Sequence, residues 1–259
     1  MTAAHVCRVV TAGIRVHFVG ASRSRIWLLF TMITPVVYAL VALYLLDAAR
    51  RPDTLPEAAV SAGLMGVWSS VLFGSGTAIQ DMRFRGTLEP VMVAPTPFSF
   101  ALIPVAVSSS AIGLYSMVAT VLCGAAFFGT PLDYPAPAAL LFALMVCLFA
   151  TGMMGMLLAT TFVLMRNANA VVNTLDHPVW MLSGTIMPLA LLPGWLHPLS
   201  WILPSTWGAE AVHRALAAEP VAWPATLAVL TGLVYLGLSL LALRHVEHRA
   251  RVTASLALA

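Results

Sequence analysis

Residues 80–97 read QDMRFRGTLEPVMVAPTP and form a charged stretch within an otherwise apolar chain. Residues 58–79 before it and residues 98–132 after it carry no Asp, Glu, Lys or Arg. Asp81, Arg83, Arg85 and Glu89 cannot lie in hydrocarbon, where each charge costs roughly 2.5–3.5 kcal/mol even on a scale derived from membrane insertion. The stretch must therefore reach the surface of a membrane, between two apolar segments.

The same stretch predicts a short helix. Thr87 is suited to cap a helix through its hydroxyl, Glu89 is favourable in the first turn, and Pro90 is tolerated there. Pro95 and Pro97 then end the helix. We expect a helix of one to two turns lying across the membrane face, which is more order than a simple connection between two spans requires.

Composition indicates an integral membrane protein. Hydrophobic residues make up 60% of the chain, charged residues 9%, and the mean hydropathy is +0.93, whereas soluble domains carry about 25% charged residues. The chain contains Arg but no Lys, so it has neither the Lys of a Walker A motif nor a Schiff-base Lys. Cys7, Cys123 and Cys147 are too scattered to indicate a disulfide framework or a metal site.

Six apolar segments approach or exceed the length of about 20 residues that a membrane-spanning helix requires. They are residues 26–46, 58–79, 102–128, 138–165, 170–187 and 224–243. We therefore predict an all-α, polytopic membrane protein with a six-helix transmembrane domain over residues 26–243. Residues 1–25 precede this domain, and residues 244–259 follow it as a tail.

Residues 1–25 carry an amphipathic pattern. Arg8 and Arg15 fall on one face, and apolar residues recur at roughly helical spacing on another: Val6, Val9, Val10, Ile14 and Phe18. The pattern favours a helix in the membrane interface with its arginines towards anionic headgroups. A disordered basic tail is the alternative. The apolar run that follows is too long for the core of a signal peptide.

The distribution of arginine predicts the orientation. With six spans and the N-terminus in the cytoplasm, ten arginines lie on the cytoplasmic side and only Arg50, Arg51 and Arg214 lie outside. Cytoplasmic loops are enriched in arginine. We therefore expect a multi-pass protein of the inner (plasma) membrane with both termini and the charged stretch in the cytoplasm.

Residues 189–207 are interrupted by Pro193, Pro198 and Pro204 and cannot form one straight helix. They also lie in a region rich in tryptophan, which favours membrane interfaces. Two short helices that enter the outer leaflet and return would fit this pattern if protein or water surrounds their irregular backbone. A loop lying flat on the membrane is the alternative.

The fifth predicted span carries polar side chains: Asn173, Asp176, His177 and Ser183. Ionisable groups within a membrane usually face a bundle interior or a transport pathway. Asp176 and His177 nevertheless lie only about 10 Å from the preceding turn, at 1.5 Å per residue. Partial hydration, or an ion pair between Asp176 and an arginine, therefore remains open.

Two stretches carry a resemblance to a known family. Residues 85–89 read Arg-Gly-Thr-Leu-Glu and precede Pro95, and residues 183–195 read SGTIMPLALLPGW ahead of Leu203-Pro204, Ala209-Glu210-Ala211 and Arg214. With the six spans and the N-terminal helix, they resemble the permease subunits of ABC-2 transporters, the membrane half of ATP-driven exporters of drugs, antibiotics, lipids and polysaccharides. Many members have a Glu-Arg pair where this chain has Met82-Arg83-Phe84, so the exact ATPase contacts stay open.

The resemblance implies that a separate ABC ATPase subunit binds ATP and Mg and docks on the helix near residues 84–95. The docking residues would be Arg83, Arg85, Gly86, Thr87, Leu88, Glu89 and Pro90. A second permease subunit, identical or homologous, would complete the transmembrane set, and spans two and five would line the pathway, including Asn173, Asp176, His177 and Ser183. The expected cargo is amphipathic or hydrophobic, and the expected surroundings are membrane lipid, with no nucleic acid.

Two other classes remain as alternatives. A secondary transporter would need ion-coupling groups at the membrane midplane and usually internal repeats, whereas this sequence offers one off-centre Asp and no visible repeat. An intramembrane enzyme would need a nucleophile and a base on different helices, for which Ser75 and His177 are the best available pair. We expect this chain not to be an enzyme by itself, but to be the membrane subunit of a transport complex that hydrolyses ATP.

Overall fold

The computed structural model describes residues 8, 10–17, 19, 33, 36–37, 39–41, 43–44, 54–94, 97–131, 134–165, 168–185 and 192–253. These residues are helical or lie in turns, with no strand among them, which confirms the predicted all-α class for this part of the chain. The main helices are α1 (Leu55–Phe84), α2 (Leu88–Val93), α3 (Ser99–Phe128), α4 (Pro137–Val163), α5 (Ala168–Leu182), α6 (His197–Ile202), α7 (Pro204–Leu216) and α8 (Ala222–Thr253).

Four of these helices are long and apolar enough to cross a membrane: α1, α3, α4 and the part Ala222–Glu247 of α8. They correspond to the predicted spans 58–79, 102–128, 138–165 and 224–243. Most of the predicted first span, 26–46, lies outside the described residues. Six crossings therefore stay a prediction, and α8 continues to Thr253, into the residues that we assigned to a tail.

The predicted fifth span, 170–187, is a shorter helix than expected. α5 has 15 residues and ends at Leu182, whereas a perpendicular crossing requires about 20. Its last turn closes with the Ser183 amide donating to the Val179 carbonyl at 2.8 Å. Gly184 follows with φ +72°, a left-handed conformation that ends helices. Residues 186–191 lie outside the described residues.

α1 is the central helix of the bundle, and its small residues permit close packing. α3 packs along it, and α4 and α5 also contact it. At Gly113 of α3 the backbones approach so closely that an added Cβ would lie 2.8 Å from the Cα of Val67. Small residues at helix contacts are the usual means of association in lipid, and the interpretation of the glycines of the second span as packing sites is confirmed at Gly63, Gly74 and Gly76.

Two hydrophobic clusters hold opposite ends of the bundle together. One joins the ends of α1, α3, α4, α5 and α8 to the short helix α2, with Ile79, Met92, Phe162 and Leu243 among its buried members. We call this end of the bundle the foot end. The other cluster joins α1, α3, α4, α7 and α8 at the opposite end.

The predicted segment 189–207, interrupted by prolines, contains the short helix α6 and the start of α7. Leu203 separates the two helices in an extended conformation. α7 is packed into the second cluster, where a Cβ on Gly208 would lie 2.9 Å from the Cα of Cys147. At the end of α7, the Nδ1 atom of His213 lies 3.1 Å from a carboxylate oxygen of Glu57 on α1. This irregular segment is therefore supported by contacts with α1 and α4.

The N-terminal helix contacts the foot end of α3. Residues 10–17 are helical, with Arg15 exposed and Ile14 half-buried. An added Cβ on Gly13 would lie 2.7 Å from the Cγ of Pro104. Burial lowers the pKa of His17, and the charge of Asp81 partly opposes that shift. The rest of the predicted interfacial helix, residues 1–25, lies mainly outside the described residues.

The contact between Gly113 and α1 can be tested by mutation. Gly113→Ala should destabilise the protein by about 1–3 kcal/mol, because its Cβ would push against the α1 backbone. Gly237→Ala is the matched control, since an added Cβ on that α8 glycine meets no atom within 4 Å in the described structure. Thermal unfolding of the detergent-solubilised protein measures both, and equal melting temperatures for the two variants would contradict this packing.

Candidate functional site

The charged stretch begins with a sharp turn at the end of α1. Gly86 adopts φ +64°, and its amide donates to the Arg83 carbonyl at 3.0 Å. The Thr87 amide donates to the Met82 carbonyl at 2.9 Å. Together these bonds form a Schellman motif, in which glycine takes the left-handed position without strain. The turn directs the chain from α1 into α2.

Thr87 does not cap α2 in the predicted way. It is the residue before α2, but its hydroxyl donates to the Met82 carbonyl of α1 at 3.2 Å instead of accepting a bond from an α2 amide. The hydroxyl therefore strengthens the turn that ends α1. The prediction of a hydroxyl cap was wrong because the Schellman turn places the Met82 carbonyl within reach of Thr87.

α2 has the predicted length and a buried side. It spans six residues, and Ala94 follows with φ −55° and ψ 151°, the extended conformation favoured before a proline. Leu88 and Met92 are 5% and 1% exposed and belong to the cluster at the foot end, whereas Glu89 and Pro90 are exposed. The helix is thus fixed to the bundle by one face and presents the other outward.

We call residues 84–94 the foot. Its exposed residues form the foot surface: Phe84, Arg85, Gly86, Thr87, Glu89 and Pro90. Phe84 is 85% exposed, unusually high for a large aromatic residue. Arg85 pairs with Asp81 at 2.8 Å, but both side chains are mostly exposed, so the pair contributes little to stability.

Two predicted docking residues face the bundle instead. Leu88 lies in the hydrophobic cluster. Arg83 donates from Nη1 to the Met165 carbonyl at 2.7 Å and from Nη2 to the Val163 carbonyl at 2.8 Å. The other five predicted docking residues belong to the foot surface.

A groove lies beside the foot, between the N-terminal helix and the start of α3. It encloses about 380 Å³ and is mainly apolar, lined by residues that include Val16, His17, Val91, Phe100 and Pro104. The N-terminal helix, the foot and α3 therefore form one continuous surface at this end.

The polar residues of α5 divide into two sets. Asp176 is 8% exposed, and the Ser69 hydroxyl of α1 donates to its Oδ1 atom at 2.7 Å. The Trp68 indole donates to the Asp176 carbonyl at 3.2 Å. Ser183 is buried, with its hydroxyl donating to the Trp180 carbonyl at 3.1 Å. Asp176 thereby links α5 to α1, whereas the Ser183 hydroxyl bonds within its own segment, and both side chains are buried.

Asn173 and His177 lie on the opposite, exposed side of α5. Together with Thr174 they form what we call the α5 polar face, which continues through the exposed residues Pro178 and Met181. The His177 ring contacts the Trp180 ring with centroids 5.5 Å apart. An imidazole such as that of His177 on an outer helix face is unfavourable against lipid.

The sequence profile of the ABC-2 type transporter family matches residues 10–216. The chain belongs to this family. It is a membrane component of an ABC-type transporter, and its apolar helices and family together make it a multi-pass membrane protein. No curated protein matches the chain in a sequence comparison. The matched region of this ABC-2 protein includes the foot and the α5 polar face.

Sequence reasoning missed two residues at the foot end. Phe84 lies within the charged stretch, and an aromatic residue among charged residues could have indicated a contact surface. Glu247 of α8 accepts a bond from the Phe98 amide at 2.7 Å. No local pattern indicates that bond, since the two residues are far apart in the sequence and meet only in the packed bundle.

The bond between Ser69 and Asp176 gives a second stability test. Ser69→Ala leaves the buried carboxyl without that donor, so we expect a loss of about 1–3 kcal/mol in unfolding free energy. Ser70→Ala is the control, because the neighbouring buried hydroxyl has no hydrogen-bond partner among the described residues. Thermal unfolding should show a clear decrease for the first variant and little or none for the second. The opposite order would contradict the anchoring role of Asp176.

Proposed function

We propose that this chain is the permease subunit of an ABC exporter, driven by a separate ATPase subunit that docks on the foot. The observation that carries the proposal is the foot surface: an exposed Phe84 beside charged and polar residues, held rigidly by the burial of Leu88 and Met92. Interface anchors are typically aromatic residues with a polar surround. The chain has no Lys, so hydrolysis by a P-loop would belong to the partner, together with ATP and Mg.

In the proposed orientation, the foot end of the bundle faces the cytoplasm. The foot and the basic end of α8 lie there together, through the bond from Phe98 to Glu247. Arginine is favoured on the cytoplasmic side of a membrane protein. The protein would then lie in the plasma membrane with both termini inside, and the α6–α7 segment would lie at the outer side.

A second permease subunit, identical or homologous, would cover the α5 polar face. Asn173 and His177 would then line a pathway between the subunits instead of facing lipid. The pathway would pass an amphipathic or hydrophobic cargo outward, such as a drug, an antibiotic or a lipid-like molecule, because the surrounding helices are apolar and carry few charges.

Of the alternatives, the intramembrane enzyme gains no support from the contacts of its best residue pair. The Ser75 hydroxyl is buried and donates to the Gly155 carbonyl at 3.1 Å, while His177 lies on an exposed face against Trp180. A secondary transporter remains the competing function. Transport by the purified permease in vesicles that contain no ATPase subunit would establish it and overturn our proposal.

Docking on the foot is tested by two exposed substitutions. We expect the gene to lie beside one for an ABC-type ATPase, which would be co-expressed with the permease. Phe84→Ala and Glu89→Arg should each weaken ATPase binding at least about tenfold, because both change the centre of the foot surface. Glu219→Arg is the control, since Glu219 is exposed in the turn between α7 and α8. Co-purification and stimulated ATP hydrolysis are the measurements, and equal coupling in all three variants would contradict docking at the foot.

The second subunit is tested by cross-linking. In a variant without Cys7, Cys123 and Cys147, His177→Cys should form a covalent permease dimer with a short thiol reagent in membranes. Leu238→Cys, at an exposed apolar position of α8, is the control and should react with the reagent without forming a dimer. If position 177 gives no dimer in a transporter assembled from two copies of this chain, the α5 polar face is not the subunit contact.

A further inference from the structure

The foot is joined to the bundle by charged side chains on both sides of α2. On the α1 side, the guanidinium of Arg83 bonds to the carbonyls of Val163 and Met165. These carbonyls lie at the end of α4, where backbone acceptors lack helical partners and the helix dipole is negative. A charged donor with two short bonds is therefore a strong and directional link.

On the α3 side, Glu247 makes a corresponding link. Its Oε1 atom accepts from the amide of Phe98, the residue that precedes the first turn of α3. That amide has no helical partner, and a carboxylate is favourable at the positive end of a helix. Glu247 belongs to α8, so the chain leaving the foot is linked to the last helix of the bundle.

Between the two links, one side of the foot packs against apolar side chains of the bundle. Leu88 and Met92 share a cluster with Val172 of α5 and with Leu243 and Val246 of α8. A packed contact of this kind resists relative movement of its parts. The Asp81–Arg85 pair, in contrast, is exposed, and its ion pair joins two residues at the end of α1.

We propose that Arg83 and Glu247 are positioning residues that transmit displacement of the foot to α4 and α8. This inference rests on the proposed function, because it assumes that an ATPase displaces the foot. Arg83 then moves the end of α4, and with it α5 and its polar face, which follow α4 in the chain. Glu247 makes α8 move with the start of α3. Neither side chain needs to touch the ATPase.

The experiment measures transport per ATP hydrolysed in vesicles containing the assembled permease and its ATPase. Arg83→Gln should keep ATPase binding and hydrolysis within about twofold, while transport per ATP decreases at least about fivefold. Arg214→Gln is the matched control, because it removes an arginine of α7 whose ion pair with Glu210 lies within one helix, at the opposite end of the bundle from the foot. Its transport per ATP should remain within about twofold of the unmodified protein.

A second pair of variants separates coupling from folding. Glu247→Gln keeps an oxygen that can accept from the Phe98 amide, whereas Glu247→Ala removes it. We expect the alanine variant to lose transport per ATP at least about fivefold and the glutamine variant to retain most of it. Melting temperatures of the permease variants are measured alongside, and if the Arg83→Gln permease itself does not fold, the Glu247 pair decides.

The possible failures are distinguishable. If Arg83→Gln loses the ATPase from the complex, Arg83 is a docking residue and the inference is wrong while the proposed function stands. Unchanged transport per ATP in Arg83→Gln, or in Glu247→Ala, also overturns the inference. If the unmodified permease neither binds the ATPase nor depends on ATP, the proposed function itself fails.

Discussion

The structure depends on one constraint: in hydrocarbon, backbone polar groups and charges must find partners within the protein. Backbone groups in the interior of a helix meet this constraint through the hydrogen bonds of the helix itself, whereas those at the helix ends do not. The described helix ends at the foot therefore carry the polar chemistry. Arg83 bonds to the carbonyls at the end of α4, Glu247 accepts from the amide before α3, and the turn at Gly86 satisfies the carbonyls at the end of α1.

The same constraint explains how the helices pack. Apolar side chains gain little by leaving lipid for protein, so close backbone approach supplies the association. α1 accordingly carries its glycines and serines against α3, α4 and α5, and it is buried along most of its length. α8 has few such residues and exposes most of its apolar surface. Position in the bundle thus follows from the distribution of small side chains.

Much of this fold could be predicted from local patterns. Hydropathy located α1, α3, α4 and α8, and Pro95 located the end of α2. Local reasoning failed where the partner was distant in sequence. The Thr87 hydroxyl bonds to the preceding Met82 carbonyl, and the Asp176 carboxylate accepts a bond from Ser69 of α1. Arg83 faced inward to α4. Such pairings depend on helix crossings, which composition and spacing do not specify.

Two surfaces of this chain remain energetically unfavourable in isolation, and for opposite reasons. Phe84 projects a large aromatic ring among charged residues, although burial of such a ring is worth about 1.5–3 kcal/mol. His177 presents an imidazole on an exposed face of an apolar bundle, although lipid offers it no hydrogen bonds. The exposed aromatic ring would be stabilised by a water-soluble partner with an apolar pocket. The polar side chain on the apolar bundle would be stabilised by a partner or by water within the membrane. In the proposed orientation one partner cannot meet both needs, because the foot would face water and the midsection of α5 would lie within the membrane.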